Sequence, residues 1–142
     1  MKHAIISHVG IAVTDLEKSI PLYEKLTGMK VKEIEEVPSQ KVRVGIFSTG
    51  GEKAGFAGGN IELLSGTSED SPISKFIAKR GEGLHHLCIY VDDIEKQLAL
   101  LKAAGIRLID ETPRLGAEGH RIAFVHPAGT NGVLIELEEK PK

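Results

Sequence analysis

Residues 8–18, HVGIAVTDLEK, and residues 86–96, HLCIYVDDIEK, are identical at six of eleven positions: His, Ile, Val, Asp, Glu and Lys. The echo continues through Gly28-Met29-Lys30-Val31 against Gly105-Ile106-Arg107-Leu108, and closes with Ile61-Glu62-Leu63 against Ile135-Glu136-Leu137. The copies are offset by 78 residues at the histidines and 74 at the glutamates, so both keep nearly the same His-to-Glu spacing. A repeat constrains the whole architecture, because each copy is one supersecondary unit of the same kind. It also duplicates four residues of metal-ligand type as two pairs, His8 with His86 and Glu62 with Glu136.

At 142 residues the chain is one ordinary domain, or two half-size modules sharing a core. A 41% apolar and 27% charged composition is that of a globular chain, and a net charge of −2 gives no reason to expect nucleic-acid or membrane partners. The single cysteine, Cys88, excludes an internal disulfide and, inside an expected strand, reads as a buried inert thiol. The start MKHAIISHV lacks a long apolar segment, and no apolar run approaches the ~20 residues of a membrane span, so a cytoplasmic protein is expected.

Each copy opens on a strand, with Ile6, His8, Gly10 and Ala12 on one face, and His86, Cys88 and Tyr90 likewise in the second copy. Helix starts follow at Thr14-Asp15-Leu16-Glu17 and Asp92-Asp93-Ile94-Glu95, each with an oxygen-bearing residue three before a Glu. Leu16, Ile20 and Tyr23, and Ile94, Leu98 and Leu101, form the buried stripes, and Gly28 and Gly105 end the helices. Pro21 predicts a kink or a late start in the first helix. Strands are expected at 31–37, 41–49 and 60–65, then at 106–111, 121–127 and 133–139, with Gly50-Gly51 and the segment Gly55 to Gly59 as turn and loop. The expected fold class is therefore α+β, two βαβββ modules making an eight-stranded mixed sheet around a metal site with helices outside. Residues 1–142 form the single domain: module one spans 1–68, a linker helix 71–80, and module two 83–142.

A lone histidine on a strand is more often structural than a ligand. A set of four is different: a pseudo-twofold relation between modules would let His8, Glu62, His86 and Glu136 converge, and burying unpaired carboxylates without a purpose is costly. His86 rather than His85 aligns with His8, and adjacent strand residues point to opposite faces. His85 is left a supporting or core place, and His3, His120 and His126 have no repeat partner and no ligand role. Two imidazoles and two carboxylates suit one borderline divalent ion per chain, Co2+, Mn2+, Ni2+, Zn2+ or Fe2+, and Co2+ is the one expected.

These residues resemble the vicinal oxygen chelate superfamily, whose paired βαβββ modules bind one metal in a sheet-lined cavity. Within it, the chain is similar to the methylmalonyl-CoA epimerase family along nearly its whole length. The resemblance is carried by Gly83-Leu84-His85-His86-Leu87-Cys88-Ile89, Pro113-Arg114-Leu115-Gly116, Arg121-Ile122-Ala123-Phe124-Val125-His126-Pro127 and Gly132-Val133-Leu134-Ile135-Glu136-Leu137. It implies interconversion of (2R)- and (2S)-methylmalonyl-CoA in propionyl-CoA metabolism, with an acyl-CoA substrate and a homodimer. His8, His86 and Glu136 stand at the family's metal positions. Glu62 replaces a frequent Gln, and Val44 replaces a glutamate proposed as one acid/base group in some members.

Epimerisation needs a proton carrier on each side of an enolate, and Glu136 and Glu62 are the expected pair, with Glu62 as a plain fourth ligand the other reading. Arg121 and Lys41 are expected to border the substrate. A glyoxalase I activity shares the His/Glu/His/Glu set, but its Asp-Pro-Asp-Gly-type turn is replaced by His126-Pro127-Ala128-Gly129-Thr130-Asn131-Gly132. An extradiol dioxygenase would use two His and one Glu, and Glu62 crowds such a site. A metal-free antibiotic-binding protein usually loses the ligands and lines its cleft with aromatics, which are 4% here with no Trp.

Overall fold

Alternation of apolar and polar residues along the strands, and the helical stripes between them, lead to two four-stranded halves. The computed structural model describes residues 4–51 and 56–140. The chain divides into two compact units, His8–His85 and His86–Lys142, the latter joined by the segment ending at Ser7.

In the first unit the strand order is β2-β3-β4-β1. β1 (Ile5–Ala12) runs parallel to β4 (Phe56–Gly66), while β3 (Val42–Gly51) is antiparallel to both β4 and β2 (Glu33–Val37). Helix α1 (Leu16–Thr27) starts where Asp15 accepts the Lys18 N–H at 3.1 Å, one residue later than the sequence pattern marks. Pro21 neither delays nor shortens it. Pro21 and Glu17, whose carbonyl loses its helical partner, both lie on the exposed side of the helix. Leu16 and Ile20 pack with Val13, Phe47 and Leu63 on the helix-covered face. Helix α2 (Pro72–Arg80) follows β4, its Ser71 cap accepting the Ile73 N–H at 3.2 Å.

The glycine-rich stretch is strand rather than loop wherever it is described: β3 runs through Gly51 and β4 begins at Phe56. Gly55, the start of the expected loop segment, lies outside the described residues. The reason for glycine here is close approach, since a Cβ at Gly58 would lie 2.5 Å from the Thr49 carbonyl oxygen.

The second unit repeats the plan with order β5-β8-β7-β6. β5 (Gly83–Tyr90) pairs in parallel with β8 (Ile135–Glu139), and β7 (Arg121–Val125) is antiparallel to β8. Helix α3 (Ile94–Ala103), capped by Asp93, covers Ala123, Val125 and Leu137 with Ile94 and Leu98.

The strand expected at 106–111 does not form. Leu108 makes a single antiparallel bridge to Val125, after which the Ile109 and Asp110 N–H groups both donate to the Phe124 carbonyl, at 2.9 and 3.1 Å. The Asp110 side chain accepts the Phe124 N–H at 2.9 Å, standing in for a strand carbonyl. With both backbone groups of Phe124 so used, the chain leaves the ladder and rejoins it past Pro113 as β6 (Arg114–Leu115).

Candidate functional site

Opposite the helix-covered faces, each unit carries one His–Glu pair. In the first, Gly10 lies across from Glu62 in the β1–β4 ladder, so His8, one strand period earlier, shares its face. Gly10 has no side chain to separate them, and His8 Nδ1 lies 3.1 Å from Glu62 Oε2. In the second unit, small Cys88 lies across from Glu136, and His86 Nε2 lies 3.0 Å from Glu136 Oε1. The repeat in the sequence is thus a repeat of geometry, although the two imidazoles turn different nitrogens to their glutamates.

All four side chains are buried, none more than 8% exposed. A carboxylate out of water needs a compensating charge. The donor spacing also fits a metal: two ligands about 2.1 Å from one ion and at right angles are about 3.0 Å apart. Each pair therefore has the donor chemistry, burial and separation of two adjacent ligands.

Around the second pair the face is polar, which the repeat does not foreshadow. Glu138, one strand period beyond Glu136, is 7% exposed. It accepts hydrogen bonds from the Ser7 hydroxyl and, at 3.4 Å, from the Cys88 thiol, and its other oxygen meets His120 Nδ1. His120 thus has a structural partner, as does His126, which accepts the Ala128 N–H at 3.0 Å. His85 packs edge-on against Phe76, their ring centroids 4.9 Å apart. His3 lies outside the described residues. Glu138 was open to sequence reasoning through its period-two spacing from Glu136; its partner His120 was not, being 18 residues away.

The two basic residues expected at the substrate are engaged by carboxylates. Arg121 lies 3.0 Å from Glu95 and 3.3 Å from Glu139, and Lys41 is paired with Asp70, whose carboxyl this contact holds at about 2.

The chain matches the model of the glyoxalase/bleomycin resistance protein/dioxygenase superfamily over residues 7–124. It is 40% identical to the mitochondrial methylmalonyl-CoA epimerase of Dictyostelium discoideum, across 95% of this chain and 78% of that one. It belongs to the methylmalonyl-CoA epimerase family. The ethylmalonyl-CoA/methylmalonyl-CoA epimerase of Cereibacter sphaeroides is 38% identical, over 94% of this chain and 96% of its own. A solved Streptomyces coelicolor methylmalonyl-CoA epimerase in complex with 2-nitronate-propionyl-CoA superposes with a TM-score of 0.87 at 36% identity, covering 95% of this chain and 93% of that one. The epimerase family membership accounts for the paired βαβββ units found here.

Cys88 is fully buried, and burial pushes its thiol pKa far up, with the charges of Glu136 and Glu138 adding to the rise. Its folded pKa thus lies above the unfolded value of ~8.5. The stabilisation this group contributes is complete below that pH and declines above it, as the unfolded thiol ionises and the folded one does not. The native protein is expected to resist an aromatic disulfide reagent at pH 8 for hours while the urea-unfolded chain reacts within minutes. Equal rates would contradict a thiol locked in the ladder beside Glu136.

Proposed function

We infer that this chain interconverts the (2R) and (2S) forms of methylmalonyl-CoA by moving the proton at C2. The observation that carries this reading is the pair of buried His–Glu couples at equivalent places in a chain of the epimerase family. The ligand set for one divalent ion is His8, Glu62, His86 and Glu136, and Co2+ is assigned first among the borderline metals that imidazole and carboxylate together accept. When bound, the ion supplies Lewis-acid stabilisation of the negative charge that grows on the thioester oxygen as C2 loses its proton.

Inversion requires one proton carrier for each face of the enolate. Glu136 takes the proton on one face, and Glu62, its repeat equivalent, returns one on the other. Positioned acid/base groups of this kind contribute about 10²–10⁴-fold each. Two features support assigning the second role to Glu62. Val44, 2% exposed, opposes Leu64 in the β3–β4 ladder and offers no titratable group there. Glu62 is itself a buried carboxylate, where a Gln would have no proton to carry. A cytoplasmic homodimer acting on an acyl-CoA within propionyl-CoA metabolism is the setting this reading implies. Among the described residues no helix is long and apolar enough to cross a membrane.

Proton NMR of (2S)-methylmalonyl-CoA in D2O, with Co2+-loaded and chelator-treated protein side by side, tests the assignment. The C2 proton signal is expected to vanish with the loaded protein only, both epimers appearing; a loaded protein that leaves it intact refutes the activity. In the same assay Glu62→Gln is expected to keep its metal yet exchange the C2 proton of only one epimer. Full epimerisation by that variant would reduce Glu62 to a ligand.

A further inference from the structure

We propose that Arg114 reads the free carboxylate of the acyl group, a role that rests on the epimerase reading above and specifies how a malonyl-type thioester is told from a simple one. Arginine suits this task because its planar guanidinium offers a two-point fork to a carboxylate. What distinguishes one arginine from another is whether that fork is already occupied and where it is held.

Several other basic groups already have carboxylate partners. Arg121 is shared by Glu95 and Glu139, Arg43 lies against Glu17, and Lys41 against Asp70. Arg114 is held from one side only. Its Nε faces Asp110 at 3.4 Å, and its guanidinium carbon lies 5.5 Å from the Phe124 ring centroid. Both supports are rigid, because Asp110 accepts the Phe124 backbone N–H and Phe124 is 9% exposed in the β7–β8 ladder. No second carboxylate among the described residues pairs with Arg114, and 41% of its side chain is exposed. The result is an arginine whose stem and Nε are fixed and whose terminal amino groups remain available to an anion.

Its place on the sheet points the same way. Arg114 opposes Ile122 across β6–β7, and Phe124 opposes Glu136 across β7–β8, so all four share one face. The Phe124 ring also meets His86 edge-on, with centroids 5.8 Å apart. One aromatic ring therefore separates Arg114 from the His86–Glu136 pair. In a methylmalonyl thioester the carboxylate is attached to C2 itself, whereas the phosphates of CoA are a whole pantetheine arm away. A cation this close to His86 meets the carboxylate, and the contact with the Phe124 ring holds it there.

Calorimetric binding of malonyl-CoA and acetyl-CoA to the metal-loaded protein isolates this contact, since the two ligands share every phosphate and differ in one carboxylate. Arg114→Gln is expected to weaken malonyl-CoA binding by about 10- to 100-fold, the range of a lost charge-assisted pair, and acetyl-CoA binding by less than about twofold. Arg114→Lys, which keeps the charge and loses the fork, is expected to fall between, with a melting temperature near that of the parent. Equal weakening of both ligands would move Arg114 to the CoA moiety and overturn the proposal, as would no change in either. Failure of the epimerase reading is separately visible. A parent protein that prefers malonyl-CoA through Arg114 yet leaves the C2 proton of methylmalonyl-CoA in place would lose the activity and keep the carboxylate site.

Discussion

Glu136→Gln is expected to lower kcat/KM for epimerisation by about 10³-fold or more. Two losses combine. A positioned acid/base group contributes about 10²–10⁴-fold, and an amide cannot take its place at pH 7. The same substitution removes an anionic ligand from a buried set in which His86 Nε2 lies 3.0 Å away, so the metal content of the purified protein is expected to fall as well. Gln keeps the size of Glu, and Glu136 is flanked in the ladder by Cys88 and Phe124, neither of which needs its charge. The melting temperature of the metal-free forms should therefore agree within a few degrees. C2–H exchange, metal analysis and thermal melting on one preparation separate the three effects. A variant within threefold of parental activity would remove Glu136 from both roles.

Phe47→Ala is expected to cost about 3–5 kcal/mol of stability, the range for emptying a buried phenylalanine site. Phe47 is 0% exposed and lies in the cluster of Val13, Leu16, Ile20 and Leu63 that joins α1 to its sheet, with the Tyr23 ring 6.3 Å away. None of these neighbours is a flexible surface side chain able to fill the space, so the cavity persists. Against a typical total of about 5–15 kcal/mol, such a loss leaves the variant marginal at 37 °C. It also acts on function indirectly, because Ile46, the next residue, opposes Glu62 across β3–β4 and helps hold that glutamate in register. Urea denaturation followed by circular dichroism measures the loss; a change under about 1 kcal/mol would mean that the α1 cluster is not the core of its unit.

Much of the fold is legible in the chain because its signals are periodic and local. Strand alternation puts His8 with Gly10, and His86 with Cys88, on one face, and the repeat pairs each with a glutamate; the ladders then place those residues within 3.1 Å. The helix stripes and caps are equally local, and the one-residue shifts from Thr14 to Asp15 and from Asp92 to Asp93 reflect which side chain reaches the Lys18 and Lys96 N–H groups. Pro21 did not delay the helix start, because it lies on an exposed turn that a rule about helix interiors does not weigh. The strand expected at 106–111 failed for a related reason. Its composition suits a strand, but the Asp110 carboxylate captures the Phe124 N–H that a continuing strand would need.

The sequence by itself therefore determined the module, its duplication and the four ligand-type residues, since period and spacing state which side chains share a face. Only the tertiary structure decided which charges are already spent on one another. Arg121 and Lys41 have carboxylate partners on other elements, Arg114 rests on Phe124 beside His86, and His120 closes on Glu138. Those pairings join residues 10 to 29 positions apart, and periodicity carries no information about which of several equidistant carboxylates a flexible cation will meet once the strands have paired.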